Sequence, residues 1–277
     1  MPHARINGAD LYYAETGRGQ PLLFHHGYTG SHDAWDAVVP QFKDWYRCIV
    51  MDARGAGDSS HPDSGYTIQQ FAADVIGMAD FLGLEKFTYI GHSMGGVIGM
   101  ELGLTYPERL DRLVLVAPAP ADGVDFPNME AQRARGRRLR KERDVETLLR
   151  EALALAARPD PVKGLKRLER AFSISEGHYE EAWQSLVDYR AGDRLGEIAV
   201  PTLVMAGAAD SLLPANLKDF QRLPNATLHV FSRVAHGMEY EAPDEFNAVL
   251  ADFLRHGVVT ARTLLRDMQA ATPAGAR

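Results

Sequence analysis

The segment Gly91-His92-Ser93-Met94-Gly95-Gly96 places a serine midway between two glycines, directly after the apolar, β-rich run Phe87 to Gly91 and directly before a helical pattern that starts at Met94. A chain that turns from strand to helix in so few residues brings backbones too close for a Cβ, which accounts for glycine at 91 and 95. It also leaves the apex residue with strained dihedrals. Ser93 is that apex, so its hydroxyl projects above the sheet at a helix N-terminus. There the partial positive charge and the free N–H of Met94 can meet negative charge developing on a bound group. This is the equipment of a nucleophile elbow. A serine hydroxyl is unreactive at its own pKa and needs a histidine to take its proton, and the histidine needs a carboxylate to fix its tautomer. The competing reading is a glycine-rich turn whose serine only caps the helix.

Positioning such a group takes a buried sheet covered by helices, and the first 118 residues alternate accordingly. Ala4 to Asn7 and Leu11 to Glu15 flank the turn dipeptide Asn7-Gly8 and predict an antiparallel hairpin. Pro21 to His26, Tyr46 to Asp52, Phe87 to Gly91 and Leu110 to Ala117 predict strands buried on both faces. Asp33 to Phe42, Ile68 to Leu82 and Met94 to Tyr106 predict helices. From Pro118 to about Glu197 the alternation stops and the sequence turns charged and helical, which predicts a helical cap over 119–197. Alternation resumes with Val200 to Ala206, Leu217 to Arg222, Thr227 to Phe231 and Pro243 to His256, so the core domain is expected over 1–118 and 198–277, discontinuous in sequence. Ala261, Leu264, Leu265 and Met268 recur at helical spacing. They predict a short helix from Thr260 to Gln269, capped by Thr260 and packed on the chain's own domain, before a frayed end from Ala270.

Two further segments, with the elbow, resemble the α/β-hydrolase family over about Arg5 to His256, least closely in the cap. Leu22-Leu23-Phe24-His25-His26-Gly27-Tyr28 looks like the family's strand ending in His-Gly, and the resemblance assigns the second oxyanion N–H to Tyr28, beside that of Met94. Asp52-Ala53-Arg54-Gly55-Ala56-Gly57-Asp58-Ser59 is similar to the family's D-x-R-G-x-G-x-S turn, which shapes the floor of the site. That turn lacks the Lys-Ser/Thr of a phosphate loop and the spacing of a dinucleotide fingerprint. The resemblance implies an α/β fold with a mostly parallel central sheet flanked by helices and a cap inserted after the sixth strand. It also implies the chain order serine, acid, histidine. Asp210, in the turn after the buried run Thr202 to Ala206, and His236, in the loop Ala235-His236-Gly237, stand where that order requires them. Asp122 and Asp125, just past the strand that begins at Leu110, are a second source of the acid.

Composition narrows the partners. A formal charge of −7 argues against general nucleic-acid binding, and no apolar run reaches the length of a membrane span. The N-terminus has no apolar signal region, and the one cysteine, Cys48, reads as strand core, so a cytoplasmic protein is expected. No H-E-x-x-H, C-x-x-C or clustered carboxylates appear, His25 and His26 are explained by the oxyanion turn, and neither metal nor organic cofactor is expected. Arg133, Arg135, Arg137, Arg138, Arg140, Lys141 and Arg143 form a basic run with no single stripe, read as a solvated helix pairing with Glu130, Glu142 and Glu146. The sharper reading is that one or two of these arginines reach over the pocket and steer an acidic substrate.

Together these readings predict a serine hydrolase that cleaves a small-molecule carboxylic ester or lactone through an acyl-serine intermediate, as a monomer or homodimer. Serine at the elbow, where the family's dehalogenases and epoxide hydrolases carry aspartate, removes both. A C–C bond hydrolase or a cofactor-free perhydrolase would use the same triad, although Tyr28-Thr29-Gly30-Ser31-His32 departs from the Gly-Pro-rich stretch usual in the former. A slow-turnover ligand receptor of the same fold is the alternative from another class.

Overall fold

Asn7 and Gly8 both take positive φ, 46° and 82°, and make the tight turn that joins β1 (His3–Ile6) to β2 (Ala9–Gly17) as an antiparallel hairpin. In this computed structural model, which describes residues 2–261 and 263–265, the hairpin is the edge of an eight-stranded sheet of order β1-β2-β4-β3-β5-β6-β7-β8. The other strands are β3 (Gln20–His25), β4 (Tyr46–Met51), β5 (Phe87–His92), β6 (Leu110–Val116), β7 (Thr202–Gly207) and β8 (Ala226–Phe231). From β4 onward all neighbours run parallel. The fold is thus the expected mostly parallel sheet flanked by helices.

Apolar residues on both faces explain the continuous hydrophobic runs. Along β3, Leu22 and Phe24 join one core cluster and Leu23 the other, the period of two that a strand imposes. The same division holds along β6, where Leu113 and Leu115 face α2 (Ile68–Phe81) and α3 (Met94–Thr105), while Val114 and Val116 belong to the cluster of Trp35, Phe42 and α10 (Pro243–His256). Cys48 is buried in the latter cluster, and burial pushes its thiol up to about 12, as a structural thiol requires. The D-x-R-G-x-G-x-S turn is tied to α2 by a buried bidentate pair between Arg54 and Asp74, at 2.6 and 2.7 Å.

Several boundaries differ from the sequence reading. Asp33 to Phe42 is not one helix: a 3-10 turn, His32–Trp35, is followed by the single-turn α1 (Val39–Phe42). Pro40 cannot donate to the carbonyl of Asp36, so a continuous helix would break there. α8 (Leu213–Arg222) starts four residues before Leu217, with Pro214 in its first turn, where no N–H is needed.

Between β6 and β7 the chain forms α4 (Met129–Glu142), α5 (Val145–Ala154), α6 (Pro161–Ser173), a π-turn at His178–Ala182, α7 (Trp183–Asp188) and a 3-10 segment, Gly192–Glu197, with no strand among the described residues. α9 (Met238–Glu241) precedes α10. In the tail, Thr260 Oγ1 accepts from the N–H of Thr263 at 3.3 Å, the expected cap. Leu264 and Leu265 are exposed and do not dock on the domain; Arg262 and the rest of the predicted helix, through Gln269, lie outside the described residues. No helix among the described residues is long and apolar enough to cross a membrane.

Candidate active site

β5 delivers the chain to Ser93, whose φ of 55° and ψ of −109° lie outside the regions open to most residues. Neighbouring backbone holds that strain: Ser93 N–H donates to Val116 O at 2.8 Å, and Ala119 N–H donates to Ser93 O at 3.1 Å. The flanking glycines are required by close approach. A Cβ on Gly91 would sit 2.1 Å from Gly95 O, and one on Gly95 would sit 2.6 Å from His25 O. The Ser93 side chain makes no capping hydrogen bond to α3, which removes the reading of a mere helix cap.

β7 ends in Gly207, where a Cβ would meet Ala235 O at 2.1 Å, so the turn after β7 packs directly on the loop that carries His236. Ala209 N–H donates to Val234 O and fastens the two segments. Asp210 Oδ1 accepts from Leu212 N–H at 3.0 Å, and Oδ2 lies 2.7 Å from His236 Nδ1. A proton on Nδ1 donated to the buried carboxylate leaves Nε2 as the basic atom of a ring that is 37% exposed. The loop is pressed against the elbow by His92, whose Nε2 is 3.0 Å from His236 O and whose ring centroid is 4.8 Å from that of His236. No hydrogen bond joins Ser93 Oγ to His236 among the described residues; such contacts commonly tighten only with substrate in place.

On the other side of Ser93, Ala53 N–H donates to His26 Nε2 at 3.0 Å, so the ring proton is on Nδ1 and is donated to Gly27 O at 2.7 Å. Gly30 N–H donates to the same carbonyl. In a trans peptide the N–H of Tyr28 then points the opposite way. The loop touches Ser93, since a Cβ on Gly27 would lie 3.1 Å from Ser93 Cβ. Neither Tyr28 N–H nor Met94 N–H donates to a protein acceptor among the described residues, so both donors stay unspent. Burial depresses His25 to about 3 and also lowers His26, so both rings stay neutral.

Asp122 and Asp125 stand apart from His236. Asp122 is bound by Lys218 at 2.7 Å, which with Arg222 holds its carboxyl low, and Asp125 is exposed. The basic run also differs from its reading. Arg133, Arg137 and Arg140 share one face of α4. Arg137 pairs with Glu180 at 2.6 Å, Arg135 pairs with Glu151, and Arg140 donates to the carbonyls of Ala171 and Ile174. None of these pairs involves Glu130, Glu142 or Glu146, because the partners come from α5, α6 and the π-turn, which helical spacing within α4 does not reveal. Arg133 packs over the rings of Tyr179 and Trp183 at 4.2 and 4.8 Å and donates to Tyr28 Oη at 3.2 Å, bracing the residue after Gly27.

Sequence reasoning missed His178, which no local signal marks. It is fully buried, with Nδ1 2.9 Å from Arg54 O and Nε2 2.5 Å from Tyr28 O, and burial lowers it to about 4. A neutral ring donates to one of these carbonyls only. Clustered carboxylates also exist: His32, Asp52 and Asp58 each bring one atom within 4.8 Å of the others. Asp52 is satisfied there by His32 and by Asp58 N–H, and Asp58 by Arg170. They are the wall of the turn after β4.

Residues 20–243 match the family model of the α/β-hydrolase fold. The chain belongs to that family and is a hydrolase of that fold. A non-heme chloroperoxidase from Streptomyces lividans is 30% identical over 280 residues, covering 90% of this chain and 97% of its own length. Two solved structures superpose closely: Est816, an N-acyl homoserine lactone degrading enzyme, with a TM-score of 0.79 and 27% identity over 91% of this chain and 100% of its own, and a thermophilic esterase from Thermogutta terrifontis, malate bound, with a TM-score of 0.81 and 25% identity over 92% and 98%.

Proposed function

We propose that Ser93, His236 and Asp210 are a catalytic triad that cleaves a carboxylic ester or lactone of a small molecule through an acyl-serine intermediate. The carrying observation is the 2.7 Å contact of His236 Nδ1 with buried Asp210, on a loop fastened beside a strained, uncapped Ser93. His236 Nε2 takes the Ser93 proton as Oγ attacks the carbonyl carbon. The tetrahedral oxyanion is held by the N–H groups of Tyr28 and Met94. Collapse expels the alcohol, which receives the proton from His236; a water activated by the same ring then releases the acid and restores Ser93. The helices between β6 and β7 act as a cap over this centre, and the reaction uses no metal or organic cofactor in a cytoplasmic monomer or homodimer. Likeness to a lactone degrading enzyme and to an esterase supports the bond class.

Steady-state assays on p-nitrophenyl esters, homoserine lactones, vinylogous diketones and peracid formation test the reading. Turnover of an ester or lactone with burst release of the alcohol is expected. Turnover confined to the diketone or to peracid formation would overturn the bond class, and slow single turnover with retained product would favour a receptor.

A further inference from the structure

Behind His236 lies a second titratable pair that the proposed mechanism does not use. Glu239, on α9, is fully buried, and neither of its carboxyl oxygens has a hydrogen-bond partner among the described residues. Its Oε1 lies 3.5 Å from Nδ1 of His92, the residue just before the nucleophile. His92 Nε2 is 3.0 Å from the backbone carbonyl of His236. A carbonyl only accepts, so this contact needs the imidazole proton on Nε2, and Nδ1 then turns a lone pair toward Glu239.

We propose that Glu239 and His92 are a buried pair that holds a proton between them and positions the backbone of His236, which makes Glu239 a positioning residue for the triad; the inference rests on the proposed role of His236. With Glu239 protonated, its O–H is the donor for Nδ1, and the line Glu239, His92, His236 carbonyl is satisfied from end to end. With Glu239 ionised, two acceptors face each other in a dry site. The ring escapes only by moving its proton to Nδ1, which strips the donor from the His236 carbonyl.

The surroundings favour the proton. Burial pushes Glu239 up to about 7, against smaller downward pulls from the approach of its own backbone N–H as a weak hydrogen-bond donor, from Arg167 and from His236, with Glu241 pushing the same way as burial. Burial first, and His236 next, hold His92 well below the ordinary histidine range, with Arg167 and His26 adding to the effect, so the ring is neutral. The remaining titratable neighbour on α9 is Tyr240, raised by burial and stacked under Arg167 at 4.6 Å, and it stays a neutral phenol. The folded chain therefore keeps a proton on Glu239 between the ordinary carboxyl range and about 7 that the unfolded chain gives up. Stability conferred by Glu239 falls as pH rises through that window.

Wild type, Glu239→Gln and Glu239→Ala separate the outcomes. The amide of Glu239→Gln donates to Nδ1 at every pH. In wild type, kcat/KM for p-nitrophenyl butyrate is expected to fall roughly tenfold from its maximum to about pH 9, the size of one lost buried hydrogen bond. Glu239→Gln should flatten that alkaline fall while restoring most of the activity that Glu239→Ala loses in kcat. ¹⁵N NMR of histidine-labelled protein reads the pair without substrate: the His92 proton should sit on Nε2 near pH 6 and shift as pH passes 7 in wild type only. An alkaline limb identical in wild type and Glu239→Gln, or a His92 proton on Nδ1 at pH 6, would overturn the proposal. If wild type does not hydrolyse the ester, the ester reading fails, and the NMR titration still decides the pair.

Discussion

Strands β5 and β7 are buried at every residue, whereas α5 and α6 bury none, and α4 buries only Leu139. The first region carries Ser93 and Asp210 at the ends of strands whose side chains lock into two cores. The second attaches through surface chemistry: Arg133 over aromatic rings, Arg140 on two carbonyls, Arg170 on Asp33 and Asp58, and Glu241, which accepts from the N–H groups of Ala157, Arg158 and Ala235. The proposed triad needs placement to a fraction of an ångström, and packed strands give that. The proposed cap would shape substrate choice, a task that tolerates adjustment, and half-buried helices with polar attachments supply that freedom. Glu241 Oε2 accepts both from Ala157 and Arg158, just past α5, and from Ala235, so it links the helices to the loop that carries His236.

Substitutions rank along this contrast. Ser93→Ala and His236→Ala should each lower kcat by about 10⁶ with melting nearly unchanged, because triad members act as a unit, and Asp210→Asn should lose about 10⁴ through the wrong tautomer. Steady-state kinetics beside circular dichroism check this, and a Ser93→Ala protein with most of its activity would end the contrast. Phe24→Ala, in the core between β3 and Trp35, should cost about 3–5 kcal/mol in urea unfolding. Arg133→Ala should raise KM more than it lowers kcat and cost roughly 1–2 kcal/mol, since it unbraces Tyr28 and removes the guanidinium from the rings of Tyr179 and Trp183. Val162→Ala, on the exposed face of α6, should change stability by less than about 0.5 kcal/mol. A loss there equal to that of Phe24→Ala would erase the difference between the regions.

The legible parts of the molecule are those written locally. Asn7-Gly8 announced its hairpin, the buried runs announced parallel strands, and the glycines around Ser93 announced an elbow whose clashes the structure measures. Asp210 and His236 stand out in the sequence because each follows a strand in the order the family resemblance implies, and the proposed triad rests on them. What stayed hidden depends on contacts distant in sequence. The partners of the α4 arginines come from three other elements. His178 and Glu239 become notable only when burial sets them against Tyr28, Arg54 and His92, and nothing in their neighbouring residues encodes that. The break before α1 is encoded locally by Pro40, against the helical apolar pattern of 33–42.

Intact-protein mass spectrometry after exposure to a fluorophosphonate, followed by peptide mapping, measures the reactivity of Ser93 itself without choosing a substrate. A single adduct on the peptide containing Ser93 is expected in wild type, absent in Ser93→Ala and slowed by orders of magnitude in His236→Ala. An adduct on another residue, or one formed as fast without His236, would contradict the account.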